Sequence, residues 1–92
     1  MSNVTAVHTD ATGTVATGRR QLRGYHTISG GTAGDVIFRD GGASGTVRLQ
    51  FTIGTGTQPT VMNISDDGIL FTTDIHVTLP TSAKTTTFLQ AV

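Results

Sequence analysis

Residues 46–53 read Thr-Val-Arg-Leu-Gln-Phe-Thr-Ile, and this octet decides the fold. Val47, Leu49, Phe51 and Ile53 fall on one side of a period of two, while Thr46, Arg48, Gln50 and Thr52 fall on the other. Alternate side chains separate onto opposite faces only in a β-strand. One face therefore meets a core and the other meets water or a polar partner.

Working outward, residues 19–28 give a second long strand. Strict alternation places Leu22, Gly24, His26 and Ile28 on one face, with Gln21, Arg23, Tyr25 and Thr27 on the other. Gly24 inside this strand marks a bulge or a close backbone approach. Gly30-Gly31-Thr32-Ala33-Gly34 makes a hairpin turn, and 35–39 is the return strand. Asp40-Gly41-Gly42-Ala43-Ser44-Gly45 is the turn into the octet, since Asp-Gly and Gly-Gly supply positive φ at little cost. Gly54-Thr55-Gly56-Thr57 follows the octet, and Pro59 opens a strand at 60–65. Asp66-Asp67-Gly68 is a further turn, 69–71 a brief strand, 74–79 another, and 80–83 a turn. Residues 84–92 close the chain with Phe88 expected inward. Residues 3–8 and 13–17 are low in apolar content and read as short strands or an extended arm able to order against a neighbour.

Seven to eight short strands at roughly 10-residue spacing give an all-β, antiparallel β-sandwich, jelly-roll-like, with a small β-barrel as the alternative. A Thr-rich solenoid needs a fixed period, and the Thr-x-Thr pairs have none. The expected division is an N-terminal arm or short strands over 1–18 and a sandwich domain over 19–92.

A chain of 92 residues buries only about 60–65% of the surface its unfolded form exposes, so its own core is marginal. With no cysteine there is neither a disulfide nor a thiolate metal site, and self-association or docking remains as added support. Six basic residues balance six aspartates, with no glutamate. A net charge of zero opposes phosphate-driven nucleic-acid binding. The charged fraction of 13% is about half the usual share, which favours life inside an assembly, because surface charge opposes association. Residues 1–18 lack the basic and apolar runs of a signal peptide, and no stretch of about 18 apolar residues suggests a membrane span.

Few residues suggest chemistry. His8, His26 and His76 have no metal-ligand spacing. Asp66-Asp67-Gly68 lacks the alternating aspartates and bidentate glutamate of a calcium loop, and the aspartates read as turn residues. Ser44 and Ser65 have no nucleophile-elbow context. Gly41 to Gly45 is not followed by the Gly-Lys-Ser/Thr of a phosphate loop. Arg19, Arg20 and Arg23 form the one basic cluster, either a solvated face or a patch that pairs with an acidic partner.

Three stretches carry a family resemblance: Thr12 to Gly18, Gly30 to Gly45 (Gly-Gly-Thr-Ala-Gly-Asp-Val-Ile-Phe-Arg-Asp-Gly-Gly-Ala-Ser-Gly) and Asp67 to Leu79 (Asp-Gly-Ile-Leu-Phe-Thr-Thr-Asp-Ile-His-Val-Thr-Leu). In these the chain resembles small all-β virion accessory proteins of tailed phages, common in viruses of marine bacteria and cyanobacteria. The ending Phe88-Leu89-Gln90-Ala91-Val92 departs from the aromatic ending of that pattern. The resemblance implies a non-enzymatic structural protein of the virion, assembled in the bacterial host cytoplasm. Such a protein oligomerises with itself and decorates or cements the capsid, or forms a ring or adaptor at the portal–tail region. It implies capsid, portal or tail proteins as partners, and the residues themselves suggest no cofactor, metal, nucleic acid, membrane or small-molecule substrate. The partner-binding candidates are Arg19, Arg20, Arg23, Tyr25, Gly41, Gly42 and Ser44, together with the first eighteen residues. The alternative is a carbohydrate-binding or adhesin module, for which Tyr25 is the best stacking platform.

Overall fold

The computed structural model describes residues 4–56, 58–64 and 68–91, with the backbone alone at residue 91. Ser65, Asp66, Asp67 and Thr57, each part of an expected turn or strand, lie outside the described residues. Nine strands appear among those described: β1 (Val4–Thr9), β2 (Gly13–Thr17), β3 (Arg20–Ile28), β4 (Gly34–Asp40), β5 (Thr46–Ile53), β6 (Thr60–Asn63), β7 (Ile69–Phe71), β8 (Asp74–Thr78) and β9 (Lys84–Ala91). The count exceeds the expected seven to eight because the arm region supplies two strands.

The strands form two antiparallel sheets packed as a β-sandwich. Sheet A runs β1-β9-β3-β6, with β7 also on β3, and sheet B runs β2-β8-β4-β5. With β7 set aside, the ladders nest: β4 with β5, β3 with β6, β2 with β8 and β1 with β9. Further ladders of β9 with β3 and β8 with β4 fold this long hairpin onto itself, which is jelly-roll connectivity. Among the described residues no closed barrel forms, because β1, β2, β5 and β6 each end a sheet. The arm region thus lies on the sandwich, one strand at the edge of each sheet, with Val7, Val15 and Ala16 packed on the core.

The core between the sheets holds Leu22, Phe71 and Leu89 from sheet A and Val36, Phe38, Ile53, Ile75 and Val77 from sheet B. Tyr25 stacks on Phe51 at 4.3 Å between centroids and lies 6.2 Å from Phe38, so three rings join the sheets. Threonines also enter the interior. The Thr27 and Thr85 hydroxyls bond each other at 2.8 Å, and Thr87 Oγ1 donates to the Val7 carbonyl. Pairing offsets the desolvation of these hydroxyls.

Two one-residue register shifts correct the alternation read from sequence. In β3, Leu22 faces Leu89 but Gly24 faces Phe88, leaving Arg23 as an extra residue. The bulge expected at Gly24 is therefore present, and it reverses the face of everything after it. Tyr25 and Thr27 turn into the core, whereas His26 and Ile28 turn out. In β5, Leu49 faces Phe38 but Val47 faces Arg39, leaving Arg48 as the extra residue and Val47 45% exposed. Phe88 also points outward, because its neighbours Thr87 and Leu89 take the core positions of β9.

At the bulge itself, Gly24 leaves no room for a side chain. A Cβ there would sit 2.6 Å from the Met62 carbonyl oxygen and 3.3 Å from the Phe88 ring. Gly24→Ala is expected to lower unfolding free energy by about 1–3 kcal/mol in urea melts; an unchanged midpoint would mean β6 is not held this close.

Candidate functional site

Cross-strand register assembles the outer face of sheet A row by row. One row holds Val4, Gln90, Gln21 and Leu70. The next holds Ala6, Phe88, the Arg23–Gly24 bulge and Asn63, and the third His8, Thr86, His26 and Val61. Lys84 and Ile28 end the face. Val4 is 45% exposed, Val61 56%, Ile28 37% and Leu70 36%, which is high for large apolar side chains on one face. A shallow cavity of about 360 Å³ lies among Val4, Arg23, Asn63 and Phe88. The ionisable side chains at these positions are Arg23, Lys84, His8 and His26, and Asp10 lies at the margin, lining a cavity with Ile28 and Lys84.

Sheet B presents a different exterior. Asp35, Arg39, Gln50, Thr52, Thr14 and Thr78 dominate it by register. The Asp35 carboxylate accepts from Thr52 Oγ1 and Gln50 Nε2, each at 2.7 Å, and these bonds hold its pKa below the ordinary value. Arg39 donates to Thr78 Oγ1 across His76, which is nearly buried. The outer face of sheet A thus mixes exposed large apolar side chains with basic ones, whereas on sheet B Ile37 and Val47 sit among charged side chains bonded to neutral partners.

The turn between β4 and β5 is anchored by a carboxylate exchange. Asp40, 7% exposed, accepts from the Thr72 amide at 2.8 Å, the Thr72 hydroxyl at 3.0 Å and the Thr73 amide at 2.8 Å. Arg48 reaches the same carboxylate at 3.4 Å from its bulge. In return, Asp74 Oδ1 accepts from the amides of Gly41 and Gly42, each at 2.9 Å. Both glycines have positive φ, 106° and 83°, which their lack of a Cβ permits. Amide donors on Asp40, the Thr72 amide above all, favour its charged form over the opposing effect of burial, so its pKa lies far below the carboxylate range.

The candidates from sequence separate on this framework. Arg19 precedes β3 and is exposed. Arg20 lines a cleft at the β1–β2 edge with Thr5, Val7 and Leu89, while Arg23 lies on the outer face of sheet A and donates to Gln90 Oε1. The three arginines do not form one patch. Tyr25 is 2% exposed and its hydroxyl is directed to Met62 Sδ, so burial raises its pKa and removes it as a stacking platform. The bulge explains this correction: without it, Tyr25 would face outward. Gly41, Gly42 and Ser44 do lie together in the β4–β5 turn, where the glycine amides are consumed by Asp74 and Ser44 is exposed. Sequence reasoning missed the reach of Asp40 and Asp74. Their place beside glycine turns signalled turn chemistry, but not that each would serve the other's turn.

Among the described residues no group of three or more His, Cys, Asp or Glu side chains comes together. Compared with known proteins, the chain matches no family model, no curated protein and no solved structure.

Asp40 carries a testable pH dependence. Its pKa is depressed in the folded state, so its stabilisation is complete above the unfolded carboxylate value near 4. That stabilisation is lost as pH falls from about 4 toward the folded value, because the unfolded chain takes up the proton first. Asp40→Asn is expected to cost about 2–4 kcal/mol at pH 7 and to flatten this acid limb in denaturant melts. An acid limb of unchanged steepness in the variant would assign it to other groups.

Proposed function

We propose that this chain is a non-enzymatic structural subunit of a tailed-phage virion, docking through the outer face of sheet A. On this reading it decorates or cements the capsid, or forms a ring or adaptor at the portal–tail region, after assembly in the bacterial host cytoplasm. The observation that carries the docking role is the set of exposed apolar side chains Val4, Leu70, Ala6, Val61 and Ile28 with half-buried Phe88 on one sheet face, interspersed with Arg23 and Lys84, with Asp10 at its margin. Several large apolar side chains exposed on one face support an interaction surface. Sparse charge and a small core support a subunit stabilised by its neighbours, because a partner that binds only the folded state adds to stability. Many copies on a symmetric particle would let weak contacts sum. The virion assignment itself rests on the turn and strand stretches quoted above. The carbohydrate alternative loses its platform with the burial of Tyr25.

Mass spectrometry of purified particles is expected to find the chain in stoichiometric amount. Val61→Asp combined with Ile28→Asp is expected to abolish incorporation while leaving the circular dichroism spectrum intact and stability within about 1 kcal/mol. Absence of the unaltered chain from particles would overturn the virion reading. Normal incorporation of the double variant would overturn the docking face.

A further inference from the structure

Among the described residues the outer edge of β5 has no neighbouring strand, since sheet B ends there. Most natural edges are blunted by lysine, proline or inward charge. Here Leu49, Gln50, Phe51, Thr52 and Ile53 carry no charge and no proline, and the one bulge lies before them at Arg48. Leu49 and Phe51 point to the core side yet remain half-buried, because no further strand covers them. Such an edge fits an added extended strand, with main-chain bonds supplying affinity and alternate side chains supplying register.

The β4–β5 hairpin is also polar along its length. Asp35, exposed and bonded to Thr52 and Gln50, marks one end. Arg39 and Arg48 mark the other, with Arg48 also reaching the buried Asp40 carboxylate at 3.4 Å, so that end keeps a net positive charge. An antiparallel two-fold pairing brings the Asp35 end of one copy beside the Arg39 and Arg48 end of the next, whereas a parallel pairing would set like charges together.

We propose that a second copy of this chain pairs its β5 antiparallel to β5 across a two-fold axis at Gln50, joining the two B sheets into one eight-stranded sheet. In this register Gln50 faces its own symmetry mate, Leu49 faces the second copy's Phe51, and Thr52 faces the second copy's Arg48. Aliphatic–aromatic cross-strand pairs then lie on the core side. The interface is isologous and closes at two copies, leaving the outer face of sheet A free on both. This deepens the self-association part of the virion reading, and its test is independent: a dimer absent from particles sinks only that reading, and a monomer present in particles sinks only the dimer.

Sedimentation of the purified chain over a concentration series is expected to show a monomer–dimer equilibrium. The chain has no cysteine, so Gln50→Cys introduces a single thiol. Directly opposed antiparallel residues have Cα atoms about 4.5–5.5 Å apart, within disulfide range. Oxidised Gln50→Cys is expected to cross-link into covalent dimers, and Thr14→Cys, on the opposite edge strand of the same sheet, to cross-link far less. Gln50→Glu sets two carboxylates against each other at the axis beside Asp35 and is expected to weaken dimerisation at least about tenfold with the fold unchanged. A monomer at the highest soluble concentration, equal cross-linking at positions 14 and 50, or a dimer indifferent to Gln50→Glu would each overturn the proposal.

Discussion

Asp40 is a carboxylate withdrawn from water at the end of β4, and its hydrogen bonds hold the two sheets in register at one end of the sandwich. Its partners, Thr72 and Thr73, lie in the connection that carries the chain from β7 in sheet A to β8 in sheet B. Asp74 at the start of β8 closes the exchange by holding Gly41 and Gly42, and Gly18 ties the β2–β3 crossing to the Thr73 carbonyl. Two connections thus meet at two carboxylates, and a third is tied to them through the Thr73 carbonyl. Amide donors make the charge tolerable in a dry place, and the buried charge in turn penalises any arrangement that removes the donors. Hydrogen bonds are directional where apolar contact is not, so the polar clamp adds orientation to the packing of Val36, Phe38 and Val77.

Bulges set the chemistry of the surfaces. An extra residue at Arg23 sends Tyr25 inward, where it stacks on Phe51, and sends His26 and Ile28 outward. The outer face of sheet A owes much of its apolar and histidine character to that insertion. In β5 the extra residue at Arg48 turns Val47 out and puts a guanidinium beside Asp40. In both strands the extra residue is an arginine, whose long side chain stays at the surface while its backbone leaves the ladder.

Much of the architecture was legible in the sequence. Alternation in residues 46–53, the glycine cluster at 41–45 and the Gly24 signal led to a strand, a hairpin turn and a bulge that are all present; the glycines at 30–34 do not close the expected hairpin, because β3 and β4 belong to different sheets and the chain crosses between them there. What alternation does not carry is phase after a bulge, because one inserted residue flips every side chain beyond it. That is why Tyr25, Val47, His26 and Ile28 were placed on the wrong faces. Phe88 was misplaced for a different reason: in a Thr-rich strand, apolar content alone does not show that Thr85 and Thr87 take the interior with their hydroxyls paired. The outer face of sheet A was illegible for the same cause, since its rows draw on β1, β3, β6, β7 and β9, which only long-range register brings together. The Asp40 and Asp74 exchange joins positions more than thirty residues apart, beyond the reach of any local turn rule.

The nested ladders also order the events by which the chain finds this shape. The β4–β5 hairpin closes a short loop, whereas β1 meets β9 only when Val4 reaches Gln90, across almost the whole chain. Loop-closure entropy grows outward through the nest, so the inner hairpin is the natural nucleus and the β1–β9 ladder the last to zip. A topology so dominated by distant pairings folds in milliseconds to seconds rather than microseconds. During that interval the strand that would be exposed longest in its finished form is β5 itself, the earliest ladder and an open edge, so concentration during synthesis governs whether its first neighbour is its own sheet or another chain.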